Sequence, residues 1–193
     1  MKIRLLAIFL LFISQTVNSQ TLNSKAFSKE ATRLGMQFIM PAGYLIKKTV
    51  PNRDLHYSFA ITNPDSTIDV RYSLFPLKPL LKKYKTDKKF KKVTINPDSI
   101  YFGLMKANGM SMTNGAIPDI KEIPLEKAVK FNADFAVTHS FEFICEFGKG
   151  YKYGQFICLH KKSVADIIIT FMSNKIDTFE DLIVAPFYSL TFR

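Results

Sequence analysis

The chain has 193 residues, 47% of them hydrophobic, with 18 Phe, no Trp and a net charge of +11. That length suits one domain, which buries roughly 70% of its unfolded surface, and the apolar content excludes a disordered or low-complexity chain. Two cysteines exclude a disulfide-dense scaffold.

The N-terminus has the three parts of a secretory signal peptide. Lys2 and Arg4 precede an uninterrupted apolar run, residues 5–13, after which the chain turns polar. Val17 and Ser19 suit the small-residue positions before a cleavage site. The expectation is a signal peptide over residues 1–19 and a working domain over residues 20–193. The run is under half of the about 20 residues that a spanning helix needs. No Cys follows it to carry a lipid, and no later stretch is apolar enough to span. The protein is therefore expected in the periplasm or outside the cell.

Residues 23–34 predict a short helix, capped by Asn23 or Ser24, ended by Gly35 and apolar at Phe27, Ala31 and Leu34. A strand over 36–40, a turn at Pro41-Ala42-Gly43 and an extended piece over 44–50 follow. Residues 55–62 and 67–75 alternate apolar and polar side chains around the turn Asn63-Pro64-Asp65-Ser66. This pattern predicts an antiparallel hairpin with one buried and one wet face.

Residues 78–92, KPLLKKYKTDKKFKK, hold eight Lys against one Asp. Lys82, Lys83, Lys85, Lys88, Lys89, Lys91 and Lys92 are candidate contacts to an anionic surface. Nucleic acid is the least expected partner for an exported protein, and the run lacks the Arg that grips phosphate bidentately. The plainer reading is a solvated Lys-rich connection.

Asn96-Pro97-Asp98-Ser99 opens a helix that runs from Ile100 to near Met112 and stops at Asn114-Gly115, with Gly103 and Gly109 weakening it. A second helix starts near Pro124, carries Leu125, Ala128, Val129 and Phe131, and stops before Asp134. Strands over 138–147, 151–161 and 164–173 form a meander. Residues 177–190 carry a helical stripe that Pro186 must kink or end. Strands in antiparallel runs, with helices between the runs, define an α+β fold: an antiparallel sheet with helices packed on it.

The stretches MQFIMPAGY, LHYSFAITNPDSTIDVRYSLFP, EFGKGYKYGQFICLHKK, VADIIITFM and YSLTF occur in an order that resembles the superfamily of Mog1- and PsbP-like domains, closest to its small exported bacterial members. The resemblance spans residues 24–193. It implies an αβα sandwich and a binding or accessory role, and it carries no catalytic motif onto numbered residues.

Cys145 and Cys158 are a possible disulfide, and loop geometry decides it. A tight turn at 148–150 sets Cys145 against Tyr153 and forbids the bond. A wide loop over 148–155 sets Cys145 against Cys158 and permits it. Both readings turn the two side chains inward, on strands that are neighbours. His56, His139 and His160 lack metal-site spacing, although the last two fall on neighbouring strands. Asp134 reads as a cap. Glu142 and Glu146 are too far apart on a strand for a coupled acid–base pair. Tyr151 and Tyr153 read as cross-strand packing or as a ligand rim. No nucleophile elbow or phosphate loop occurs, and no catalytic, cofactor or metal residue is assigned.

Three function classes remain. The first is a non-enzymatic binding or accessory domain, with another envelope protein or an anionic surface as possible partner. The second is a peripheral protein held on anionic surface through residues 78–92. The third is an enzyme, which requires a concave pocket with perturbed titratable groups.

Overall fold

A computed structural model describes residues 24–193. The expected signal peptide lies outside the described residues. Helix α1 occupies residues 24–33, and Gly35 follows it with a φ of +74°. Strands β1 (Met36–Phe38), β2 (Leu45–Lys47), β3 (Phe59–Thr62) and β4 (Ile68–Pro76) come next. Then come helices α2 (Leu77–Lys89) and α3 (Tyr101–Met112), strand β5 (Lys121–Glu122) and helix α4 (Leu125–Phe131). The chain closes with β6 (Phe135–Glu142), β7 (Tyr153–Lys161), β8 (Ala165–Ser173), α5 (Phe179–Val184) and β9 (Leu190–Phe192).

Seven strands form one sheet in the order β2-β3-β4-β8-β7-β6-β5. Every pairing in it is antiparallel. The fold is therefore α+β, an antiparallel sheet with helices packed on it. The two long hairpins meet at its centre, where β4 pairs with β8 over nine residues, from Ile68–Ser173 to Pro76–Ala165.

Alternation along each strand sends side chains to opposite faces. Ile68, Val70, Tyr72 and Leu74 of β4 join Ile167, Ile169 and Phe171 of β8 in one core, with α1, α4 and α5 above them. The opposite face carries Phe75, Ile168, Met172, Phe156, Cys158 and Val137 in a second core, beneath Met105 and Met112 of α3. The expected wet face of the first hairpin is therefore wrong: Ala60, Asp69 and Ser73 are all buried. Period-two alternation marks two faces. It does not say what covers the second, and here α3 and the segments before β3 and after β6 cover it.

Four further expectations change. Residues 177–190 do not form one helix; α5 ends at Val184, two residues before Pro186, and Leu190–Phe192 returns to pair with β1 as a separate two-stranded ribbon. The Lys-rich stretch is not a loose connection, because the 13-residue helix α2, Leu77–Lys89, takes in all of it as far as Lys89. Leu125 and Val129 of α4 are exposed, and Phe131 alone of that helix is fully buried. The strand expected over 138–147 begins at Phe135 and ends at Glu142, and a short helical turn, Glu146–Gly148, stands where its second half was placed.

That last shift settles the cysteines. In the observed register Val137 faces Cys158 and Glu142 faces Tyr153. Cys145 lies in the loop, its thiol 3.4 Å from Met112 Sδ, and both cysteines are free. Cys158 is inward and buried, as expected, whereas Cys145 is only half-buried and is not on a neighbouring strand. Gly154 explains the register. A Cβ there would lie 2.6 Å from Phe143 Cε2 and 2.8 Å from Phe141 Cε2. The missing side chain lets Phe141, paired with Gly154 in the ladder, and Phe143, just past its end, fold over the strand.

Candidate ligand cavity beneath helix α3

Helix α3 lies over β6 and β7, and its buried residues, Met105, Gly109 and Met112, follow helical spacing, with Tyr101, Leu104 and Asn108 beside them at the cavity. Gly109 sets its height. A Cβ at that position would lie 2.7 Å from Pro118 Cγ and 3.3 Å from His139 Cδ2. Gly109 is thus a packing residue, not only a weak point in the helix.

Between α3 and the sheet lies a cavity of about 230 Å³. Its floor is built from register. Cys158 and His160 point the same way, two residues apart on β7, and Asp166 and Ile168 face them from β8. Phe75 of β4 and Phe135 of β6 close the sides, and Tyr101, Leu104, Met105 and Asn108 form the roof. The lining is mostly apolar except at one end.

That end holds an ion-pair geometry. His160 Nδ1 lies 2.6 Å from Asp166 Oδ1, and both side chains are largely buried. A carboxylate accepts only, so Nδ1 carries the proton and Nε2 is left for another partner. The Tyr101 ring stacks on His160 at 4.1 Å and 13°, which fixes the imidazole plane. Burial pushes the Asp166 carboxyl above its ordinary value, although the His160 pair works against this. Burial also pushes the Cys158 thiol up, with nearby Asp166 adding to the shift. Cys158 is therefore a neutral, apolar wall and not a nucleophilic thiolate.

Unpartnered polar atoms collect on this face. Ser73 Oγ, Thr170 Oγ, Asp69 Oδ1 and His139 Nε2 are buried without a hydrogen-bond partner among the described residues. Ser73 faces Ile168 across the β4–β8 ladder, and Thr170 is two residues further along β8, so both flank the cavity floor. His139 is held by its other nitrogen, 3.1 Å from the Asp119 carbonyl. That carbonyl can only accept, so Nε2 presents a bare lone pair. Burial, opposed by the Asp119 contact, lowers the pKa of His139.

The remaining residues singled out in the sequence do other work. His139 and His160 are on adjacent strands but oppose Phe156 and Phe135 respectively, and so do not meet. Asp134 accepts the Lys162 backbone N–H at 2.8 Å and holds the β7–β8 turn. Glu142 pairs loosely with Lys152, and Glu146 sits in the helical turn. The Tyr151 hydroxyl lies 3.4 Å from Lys47 Nζ, where the part-exposed Lys47 pairs with the buried Asp69. Lys82, Lys83, Lys85, Lys88 and Lys89 are on α2, and Lys91 and Lys92 follow it, all away from the cavity lining. Sequence reasoning missed the cavity because His160 and Asp166, although only six positions apart, read as parts of two separate strands. The tight turn at 161–164 was the signal that places them opposite one another.

The molecule thus falls in the class of α+β domains with a partly open, mostly apolar cavity between a helix and an antiparallel sheet. No protein-family model matches the chain, and no match is found among curated proteins. Among the described residues no helix is long and apolar enough to cross a membrane, and no group of three His, Cys, Asp or Glu side chains is placed to hold a metal ion.

Proposed function

We propose that this is an exported, non-enzymatic binding domain that holds a small, mostly apolar molecule with one uncharged polar head group. The observation that carries the reading is the cavity itself, with apolar walls and a hydrogen-bonding end at His160 and Asp166. Cavities with a few convergent polar groups are the usual form of small-molecule sites. A second anion beside the largely buried Asp166 is disfavoured, because like charges repel more strongly where the surroundings screen them less than bulk water does. The resemblance to Mog1- and PsbP-like domains supports a binding role, and the apolar run over residues 5–13 supports export.

The test is calorimetric titration of the purified protein with 1-octanol and with octanoate. The alcohol should bind and the carboxylate should bind at least tenfold more weakly. Replacement of Ile168 by Trp, which fills the cavity, should abolish both. Equal binding by the filled variant would overturn the site. Intact-mass measurement of the exported protein should show a chain that begins at Gln20.

The His160–Asp166 pair also favours a second reading, an enzyme with His160 as general base. That reading requires turnover in a hydrolase screen, lost in His160→Ala, and the absence of any turnover counts against it.

A further inference from the structure

We infer that helix α2 and the turn after it form a docking surface for an anionic lipid bilayer. This inference is independent of the cavity and of its ligand. It rests on charge, on unpaired lysines and on exposed apolar side chains in one segment.

Residues 78–92 hold eight Lys and one Asp. That Asp87 is already engaged, with Lys83 Nζ at 2.7 Å and Lys92 Nζ at 3.7 Å. The segment's other lysines have no acidic partner among the described residues. In the rest of residues 24–193, 17 Lys and Arg stand against 15 Asp and Glu, and some of them pair, as Arg33 with Glu30, Lys121 with Asp119, Lys152 with Glu142 and Lys161 with Asp134. Most of the excess positive charge thus falls in one projection.

Helix α2 is also thinly held. Leu77 is its only buried residue, and it has no side-chain cap and no acid in its first turn. Lys88 and Lys89 sit in its last turn, where they complement the helix dipole. Beside the lysines, Leu80 is 49% exposed, Phe90 68% and Val93 fully exposed. A segment meant only for solvent gains nothing from a bare Phe and Val just after its helix. A bilayer interface accounts for both features, because apolar side chains enter the acyl boundary while lysines meet lipid phosphates. The lysine stems add apolar contact as they reach the headgroups. An acidic polymer would use the lysines but leave Leu80, Phe90 and Val93 in water, so the bilayer is the favoured occupant.

The test is co-flotation of the purified protein with vesicles of phosphatidylcholine containing one-third phosphatidylglycerol, against vesicles of phosphatidylcholine alone. All variants share one N-terminus, so differences between them report on α2. The wild type should float with the anionic vesicles and not the neutral ones, and should lose binding as salt screens the charges. Replacement of Lys82, Lys83, Lys88 and Lys89 by Gln should weaken binding on the order of a hundredfold or more, given the worth of each lysine near an anionic surface. Phe90→Ser with Val93→Ser should weaken it by about tenfold, from the lost apolar burial, with the salt dependence unchanged. Circular dichroism should match in all three proteins. Failure of the wild type to float, flotation with neutral vesicles alone, or an unchanged lysine variant would overturn the inference. Binding to soluble dextran sulfate as tight as to vesicles, indifferent to the Phe90 and Val93 changes, would assign the surface to acidic polymers instead and overturn it too.

Discussion

The two faces of the seven-stranded sheet use the same strands and differ in how completely they are filled. On the face under α1, the rings of Phe27 and Phe59 stack at 4.4 Å, and Phe38 meets both Phe59 and Tyr72 edge-on. Tyr72, fully buried there, shares a 2.7 Å hydrogen bond with Ser189, and among the described residues Gln155 Oε1 is the face's one buried side-chain oxygen or nitrogen without a partner. On the face under α3, Asp69, Ser73, His139 and Thr170 each leave a polar atom unpartnered, and a cavity of about 230 Å³ remains. Buried polar groups without partners are costly, and voids forfeit contacts. A domain that closes one face so fully shows that its sequence can fill a core. The unfilled face is then where binding is to be sought.

The difference can be broken most visibly by truncation. Phe59→Ala, at a residue 3% exposed within the aromatic cluster, should cost about 3–5 kcal/mol in urea unfolding. Leu104→Ala in the cavity roof, at a residue 48% exposed, should cost about 1 kcal/mol. Comparable losses at both sites would erase the contrast. Overpacking sharpens it from the other side. Ile157→Phe on the filled face should cost about 1–3 kcal/mol, whereas Ile168→Phe at the cavity should stay within about 1 kcal/mol of the wild type. Chemical denaturation of the two variants measures this directly.

Two smaller effects concern the side under α3 alone. Gly109→Ala raises helix propensity by about 1 kcal/mol, but its Cβ would meet Pro118 at 2.7 Å. It should therefore yield no net gain in stability and should weaken 1-octanol binding by shifting α3. The smallest effect is in pH. The folded-state pKa of His139 is depressed below its ordinary 6.5. The unfolded chain therefore takes up a proton first on acidification, and stability falls as pH drops from 6.5 through that lowered value. His139→Phe should flatten this acid limb of the urea midpoint between pH 7.5 and 5. An unchanged slope would remove His139 from the account.

Local chemistry carried much of this fold into the sequence. The hairpin turn at 63–66, the helix stop at Asn114-Gly115 and the effect of Pro186 were all legible, because each depends on neighbours along the chain. The αL residues Asn114 and Gly115, with φ of 51° and 92°, mark that stop in the structure. Long-range choices were not legible. The pairing of β1 with β9 joins the two ends of the domain, and no local pattern announces it. The register of β6 on β7 depends on Phe141 and Phe143 closing over Gly154, which alternation alone cannot give. The lysine run was visible as charge, but its helical form was hidden by Pro79 and by the absence of a cap. Pro79 is tolerated because it falls in the first turn, where no intrahelical donor is lost.

The central claim is that one face of the sheet is closed and the other holds a ligand. Methyl-resolved NMR of the isotopically labelled protein, titrated with 1-octanol, tests it most directly. The account predicts shifts at Leu104, Met105 and Ile168 that saturate together, with Ile157, Ile169 and Ile61 unmoved. Shifts centred on those three core isoleucines, or none at all at saturating alcohol, would contradict it.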